Sequence, residues 1–208
     1  MLEWIFLIAI LVFSVVIHEV SHGAIANYLG DPTAKYAGRL TLNPLKHLDP
    51  IGTIILPIFL ILTTGRGIGW AKPVPINPYN FRDQKYGSLK VAIAGPGSNL
   101  TIALIFGLFL RFSLALDFIP PAFYSIISFI VSINILLAIF NLIPVPPLDG
   151  SHILFTFLPQ GLENLKIILR QFGFFILIFL IFFFPPFSRF LFYIINLIFT
   201  LIVGTPPA

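Results

Sequence analysis

Cysteine is absent, and with it every disulfide and every thiolate metal site. Any metal this chain binds must be held by His, Asp or Glu. Charge is nearly as scarce, since Asp, Glu, Lys and Arg make up 10% of the 208 residues while 58% are hydrophobic. Charged residues are normally about a quarter of a globular domain and supply its wettable surface. Here 12 basic and 8 acidic residues would have to coat everything, and the mean hydropathy is +1.00. A soluble globular protein is excluded; the composition is that of an integral membrane protein whose partner is the lipid bilayer. In a soluble chain the net charge of +4 would raise the question of nucleic acid. In a membrane chain it reads as topology, because Lys and Arg collect in cytoplasmic loops, so no nucleic-acid partner is expected.

Long apolar runs fill the chain. Leu2 to Leu29 is enough for a tilted span at 1.5 Å per residue, and the lack of a basic leader around Glu3 argues against a cleaved signal peptide. Further spans are expected at Ser88 to Leu116, Ala122 to Leu142, Phe172 to Phe184 and Arg189 to Val203, with Pro185 and Pro186 breaking the last two apart. Residues 51–62 are too few for an ordinary span. The stretch from Thr63 to Lys90, rich in Gly, Pro and Asn, reads as irregular or short-strand structure.

If 51–62 enters and leaves by one face, ten of the twelve basic residues share a side, with only Arg111 and Arg189 opposite. If it crosses, that bias collapses. A re-entrant segment with the N-terminus outside is therefore preferred, and irregular backbone at that depth requires a wet, protein-lined pocket. The expected architecture is all-α, with five to six transmembrane or half-inserted helices and a re-entrant or extended loop after the first. It is read as one polytopic domain over residues 1–208, a catalytic core of about 1–150 followed by accessory helices.

The first apolar run contains HEVSH at residues 18–22. Ionisable groups at membrane depth are expensive and mark function by default. His18 and His22 are one helical turn apart, so both imidazoles lie on one face and can share a zinc ion. Glu19 is then placed to take a proton from an attacking water and return it to the leaving amine. A buried Glu between two His residues has no packing rationale. Two ligands leave a catalytic zinc incomplete, because a third protein ligand is needed beside an open position.

Of the acids, only Asp149 stands with Glu19 outside the polar stretches and the membrane edge. It follows Pro144, Pro146 and Pro147, which remove backbone donors and force an extended chain, so its carboxylate can turn inward. A plain turn is the competing reading of PVPPLDG, and the missing third ligand favours the metal.

HEVSH, then GPGSN at 95–99, then NLIPVPPLDG at 141–150 resemble, in motif and order, the intramembrane zinc proteases of the site-2 protease family. The motifs frame about 130 residues of core. The resemblance implies His18, His22 and Asp149 as zinc ligands and Glu19 as the base. It also implies that Asn99 and Asn141 line the active site, positioning substrate or stabilising an oxyanion. A buried amide could equally satisfy backbone freed by prolines or join two helices. Gly95 and Gly97 would allow close helix approach.

Residues 43–77 resemble the compact members, in which an extended loop lies beside the active site; Val74 and Ile76 could pair with an unwound substrate by strand addition. His47 reads as a loop residue with a local hydrogen bond, and His152 as packing or as a contact to a ligand rather than to the metal.

The expected activity is hydrolysis of a peptide bond in or near a span of another membrane protein. The short chain favours a prokaryotic plasma membrane, with the active site toward the cytoplasm, and no PDZ-like insert fits in the loops. A homo-oligomer is compatible with the sequence. A metal transporter would more often repeat its ligand pairs on several helices, and a silent scaffold would not need the full set of His18, Glu19, His22 and Asp149.

Overall fold

The computed structural model describes residues 2–49, 72–115 and 120–204, together with Gly52, Ile55 and Leu62. Whether 51–62 crosses or re-enters lies outside the described residues. Among them the elements are α1 (Leu2–Tyr28), α2 (Thr33–Tyr36), α3 (Gly87–Ala115), α4 (Pro121–Asn141), α5 (Asp149–Phe157), α6 (Glu163–Phe182) and α7 (Pro185–Val203), with short 3-10 turns between and no strand. Five helices, α1, α3, α4, α6 and α7, are long and apolar enough to cross a membrane.

Helix boundaries follow local chemistry. Pro121 and Pro185 sit in the first turns of α4 and α7, where a missing N–H costs nothing and a fixed φ suits the helix. Pro185 and Pro186 therefore begin a helix as well as ending one. The span expected at Phe172 to Phe184 begins earlier, because the polar residues Glu163, Lys166 and Arg170 form the first half of α6, with Lys166 paired to Glu163 one turn away at 2.7 Å. A helix that extends beyond its apolar run can carry such charges at its end. Asp149 opens the short helix α5, which was not anticipated.

The centre of the bundle is α3, which packs on α1, α4, α5 and α7. Small residues permit this: Ala103 and Ala138 are fully buried, and a Cβ on Gly107 would lie 2.4 Å from Ile202 of α7. A core of Ala103, Leu110, Ile127, Val131, Ile135, Ile195 and Val203 joins α3, α4 and α7.

The end of α1 aims the chain back over its own C-terminal half. Gly30, at φ 108°, closes the helix, with Gly30 N–H donating to Asn27 O at 3.1 Å and Asp31 N–H to Ala26 O at 2.9 Å. Asp31 is fully buried and accepts from Thr33, from the Asn77 N–H at 2.7 Å and from the Asn80 amide at 2.9 Å. Burial pushes this carboxyl up, but the donors from Thr33, Asn77 and Asn80 outweigh it and hold it below the usual range. At the other end of the same segment Lys72 N–H donates to His47 O at 2.9 Å, and Arg39 donates to Lys72 O at 2.6 Å. Residues 72–77 carry no helix or strand, and with Pro73, Pro75 and Pro78 favouring extended neighbours they form a strap tied at both ends.

Candidate metal centre

His18 and His22 face the same side of α1, and both are buried. Their Nε2 atoms are 3.1 Å apart. Asp149 Oδ2, from the start of α5, lies 3.1 Å from one and 3.2 Å from the other. The proline-rich approach seats α5 tightly, since a Cβ on Gly150 would lie 2.2 Å from Leu142 O. Residues 131 positions apart in sequence thereby close one triangle.

The hydrogen bonds behind the triangle determine what it presents. His22 Nδ1 is 2.7 Å from Val91 O, a carbonyl that can only accept, so Nδ1 carries a proton and, in the neutral ring, Nε2 is a bare lone pair. His18 Nδ1 is 2.7 Å from Asn99 Oδ1. The Asn99 amide nitrogen donates to Ser14 O at 3.2 Å and to Asn134 Oδ1 at 2.8 Å. Turning that amide over would lose two bonds and face oxygen with oxygen, at roughly 1–3 kcal/mol per unmet group. His18 therefore also holds its proton on Nδ1 and points a lone pair inward.

With both rings neutral, three lone pairs then converge within 3.2 Å, and the buried Asp149 Oδ2 has no hydrogen-bond donor apart from those two rings. Such a set is repulsive unless a cation completes it. Tetrahedral zinc, with bonds of about 2.0–2.1 Å, has ligand-to-ligand edges of about 3.3–3.4 Å, so the donors fit a zinc ion with a few tenths of an ångström of adjustment.

Gly95 of α3 lies directly against this set. A Cβ there would sit 2.3 Å from His22 Nε2 and 2.6 Å from His18 Nε2, so only glycine leaves the space open. Gly97 differs from expectation: nothing lies within 4 Å of its Cβ position, and it mediates no close helix approach.

Beside the triangle is a cavity of about 380 Å³ whose walls include Glu19, Asn141, His152, Pro73, Val74 and Ile76. Glu19 Oε2 accepts the Val74 N–H at 2.9 Å, so the strap holds the carboxylate at the cavity wall. Asn141 lines the cavity and donates one N–H to Leu137 O at 2.9 Å. Asn99, by contrast, lies behind His18, fully buried, and is not among the cavity walls. His152 lines the cavity outside the triangle. His47 joins neither; it is buried and bonded through Nε2 to Thr41 O at 2.9 Å.

Sequence reasoning missed Ser14 and Asn134. The available signal was a polar residue one turn before His18 and an Asn in the middle of an apolar span.

The profile described as "Peptidase family M50" matches residues 116–180, which carry Asp149 and its proline-rich approach. "Putative zinc metalloprotease YwhC" of Bacillus subtilis (strain 168) is 39% identical over 194 residues, covering 87% of this chain and 81% of its own. "Putative zinc metalloprotease Rip2" of Mycolicibacterium smegmatis is 32% identical over 181 residues, covering 86% and 67%. "Putative zinc metalloprotease MJ0611" of Methanocaldococcus jannaschii is 42% identical over 66 residues, covering 31% and 32%. No solved structure matches.

Apolar spanning helices and these relatives together define the class, a membrane-embedded metalloprotease. The chain belongs to peptidase family M50, consistent with the site-2 protease resemblance of its motifs.

Proposed function

We propose that this protein hydrolyses a peptide bond in or near a membrane-spanning segment of another membrane protein, with His18, His22 and Asp149 as zinc ligands and Glu19 as general base and acid. The observation that carries the reading is the convergence of His18 Nε2, His22 Nε2 and Asp149 Oδ2 within 3.2 Å of one another, beside a carboxylate in a cavity. Zinc, when bound, supplies Lewis-acid chemistry, polarising a carbonyl and making water acidic near neutral pH. Glu19 takes the proton of the attacking water and delivers it to the leaving amine. Its bond to the Val74 N–H occupies Oε2 and leaves Oε1 for that exchange.

Asn141, with an N–H beyond the one given to Leu137, is placed to donate to substrate backbone or to a developing oxyanion. A helical substrate hides its scissile bonds, so it must unwind to react. The extended strap at the cavity wall offers an edge on which it could do so. Because the Val74 N–H already serves Glu19, Ile76 is the better position for testing that pairing. The basic-residue bias supports a plasma-membrane orientation with the cavity toward the cytoplasm.

The test is cleavage of a membrane-protein substrate in proteoliposomes. Glu19→Gln should retain zinc and lose activity by about 10²–10⁴-fold, and Ile76→Pro should slow cleavage with zinc unchanged. Substantial cleavage by Glu19→Gln would end the proposed mechanism, and full activity of Ile76→Pro would end the strand-pairing role.

A further inference from the structure

We infer that Asn134 and Ser14 are positioning residues for His18, acting through Asn99 to hold the His18 proton on Nδ1 and so keep Nε2 bare toward the metal. This rests on the zinc-site reading above and extends it to two residues whose side chains neither line the cavity nor hydrogen-bond a ligand side chain.

Hydrogen-bond polarity fixes the arrangement. Asn134 donates one N–H to the Ile130 carbonyl at 2.8 Å and the other to Ser14 Oγ at 2.9 Å. A backbone carbonyl only accepts, so the Asn134 amide cannot turn over, and its own oxygen must face Asn99, at 2.8 Å. Asn99 must answer with its NH₂ group, whose second proton goes to the Ser14 carbonyl at 3.2 Å. That leaves the Asn99 oxygen facing His18 Nδ1 at 2.7 Å, where it requires a proton on the ring. The direction of every bond is thus determined by two backbone carbonyls, Ile130 O at Asn134 and Ser14 O at Asn99.

Both asparagines are fully buried, and lipid offers no replacement partners. The path crosses α4, α3 and α1, so the ligand is set in its metal-binding form only when three helices are correctly packed. His22 needs no such relay, because Val91 O accepts from it directly. A network that merely joined helices would stabilise the bundle without choosing between the two ring tautomers of His18. Tautomer choice is therefore the readout that separates positioning from packing.

The experiment uses the full chain in mild detergent, labelled with ¹⁵N-histidine and freed of metal. Ring ¹⁵N shifts, assigned with His18→Gln, report which nitrogen carries the proton, and competition with a chelator gives zinc affinity. Wild type should show His18 protonated on Nδ1. Asn134→Leu should show a tautomer mixture at His18, an unchanged His22 ring and zinc affinity lower by on the order of tenfold. Ser14→Ala should move both readouts in the same direction by less, and Ser128→Ala, which removes a buried hydroxyl on α4 with no partner, should move neither.

Wild-type tautomer and affinity in Asn134→Leu would overturn the inference, as would equal disturbance of both histidine rings. Should Asn134→Leu fail to fold, Ser14→Ala decides, and an unchanged tautomer there overturns it. A wild type that binds no zinc yet shows the Asn134-dependent tautomer would remove the zinc reading and leave the relay standing.

Discussion

The two ends of the chain obey different rules. Around α1, α3, α4 and the start of α5, polar atoms sit in the protein interior and nearly all are paired; Asn99, Asn134 and Asp31 are fully buried with defined partners. The hairpin of α6 and α7 is the reverse. Most of its phenylalanines face outward, with Phe175 68% and Phe192 62% exposed, and Gly173 and Leu177 are the residues α6 buries. Lipid accepts any apolar side chain of roughly the right size, so the outward faces of this hairpin need composition only, while Ile195 and Val203 of α7 belong to the core. The site needs individual atoms in individual places, and its tolerance to change should be correspondingly small.

The sharpest break of this contrast lies within one motif. Gly95→Ala inserts a methyl group at 2.3 Å from His22 Nε2 and, on the proposed site, should weaken zinc binding by on the order of 100-fold. Gly97→Ala, two residues on, meets nothing and should leave zinc affinity unchanged. Zinc competition on both variants checks the pair; equal effects would mean that α3 is not set against the histidines as described.

A smaller effect is expected at the strap. Asp31→Ala strands the donors of Thr33, Asn77 and Asn80 and should cost about 1–3 kcal/mol in thermal or denaturant unfolding. The sign with pH follows from the lowered folded value: the carboxylate's contribution is fully present above its unfolded value of about 3.9 and is lost as pH falls through the folded one. The gap between wild type and Asp31→Ala should therefore be constant from neutral pH down to about 5 and narrow below about 4. The smallest effect belongs to the outer hairpin, where Phe175→Leu should change stability by less than about 0.5 kcal/mol.

Much of the site is legible in the sequence, because its signals are local or eliminative. The His18 to His22 spacing is one helical turn, and Asp149 was the acid left over once the polar stretches were set aside. The spanning helices were legible from apolar length, with ends displaced where the polar first turns of α6 continue a helix beyond its apolar run. What could not be read depends on helix rotation and depth of packing. Whether Asn99 faces the cavity or the back of His18 is a matter of which side of α3 meets α1. The same applies to Gly95 and Gly97, identical in sequence logic and opposite in surroundings. Glu19 finding a partner in the Val74 N–H required the strap's two anchors, at Asp31 and at His47 with Arg39, none of which has a motif.

The most direct test of the account is tightly bound zinc per purified chain in mild detergent, wild type against Asp149→Ala. About one zinc in wild type and far weaker retention in the folded variant is the predicted result. A folded wild type without zinc, or an Asp149→Ala protein that holds zinc as tightly as wild type, would contradict it.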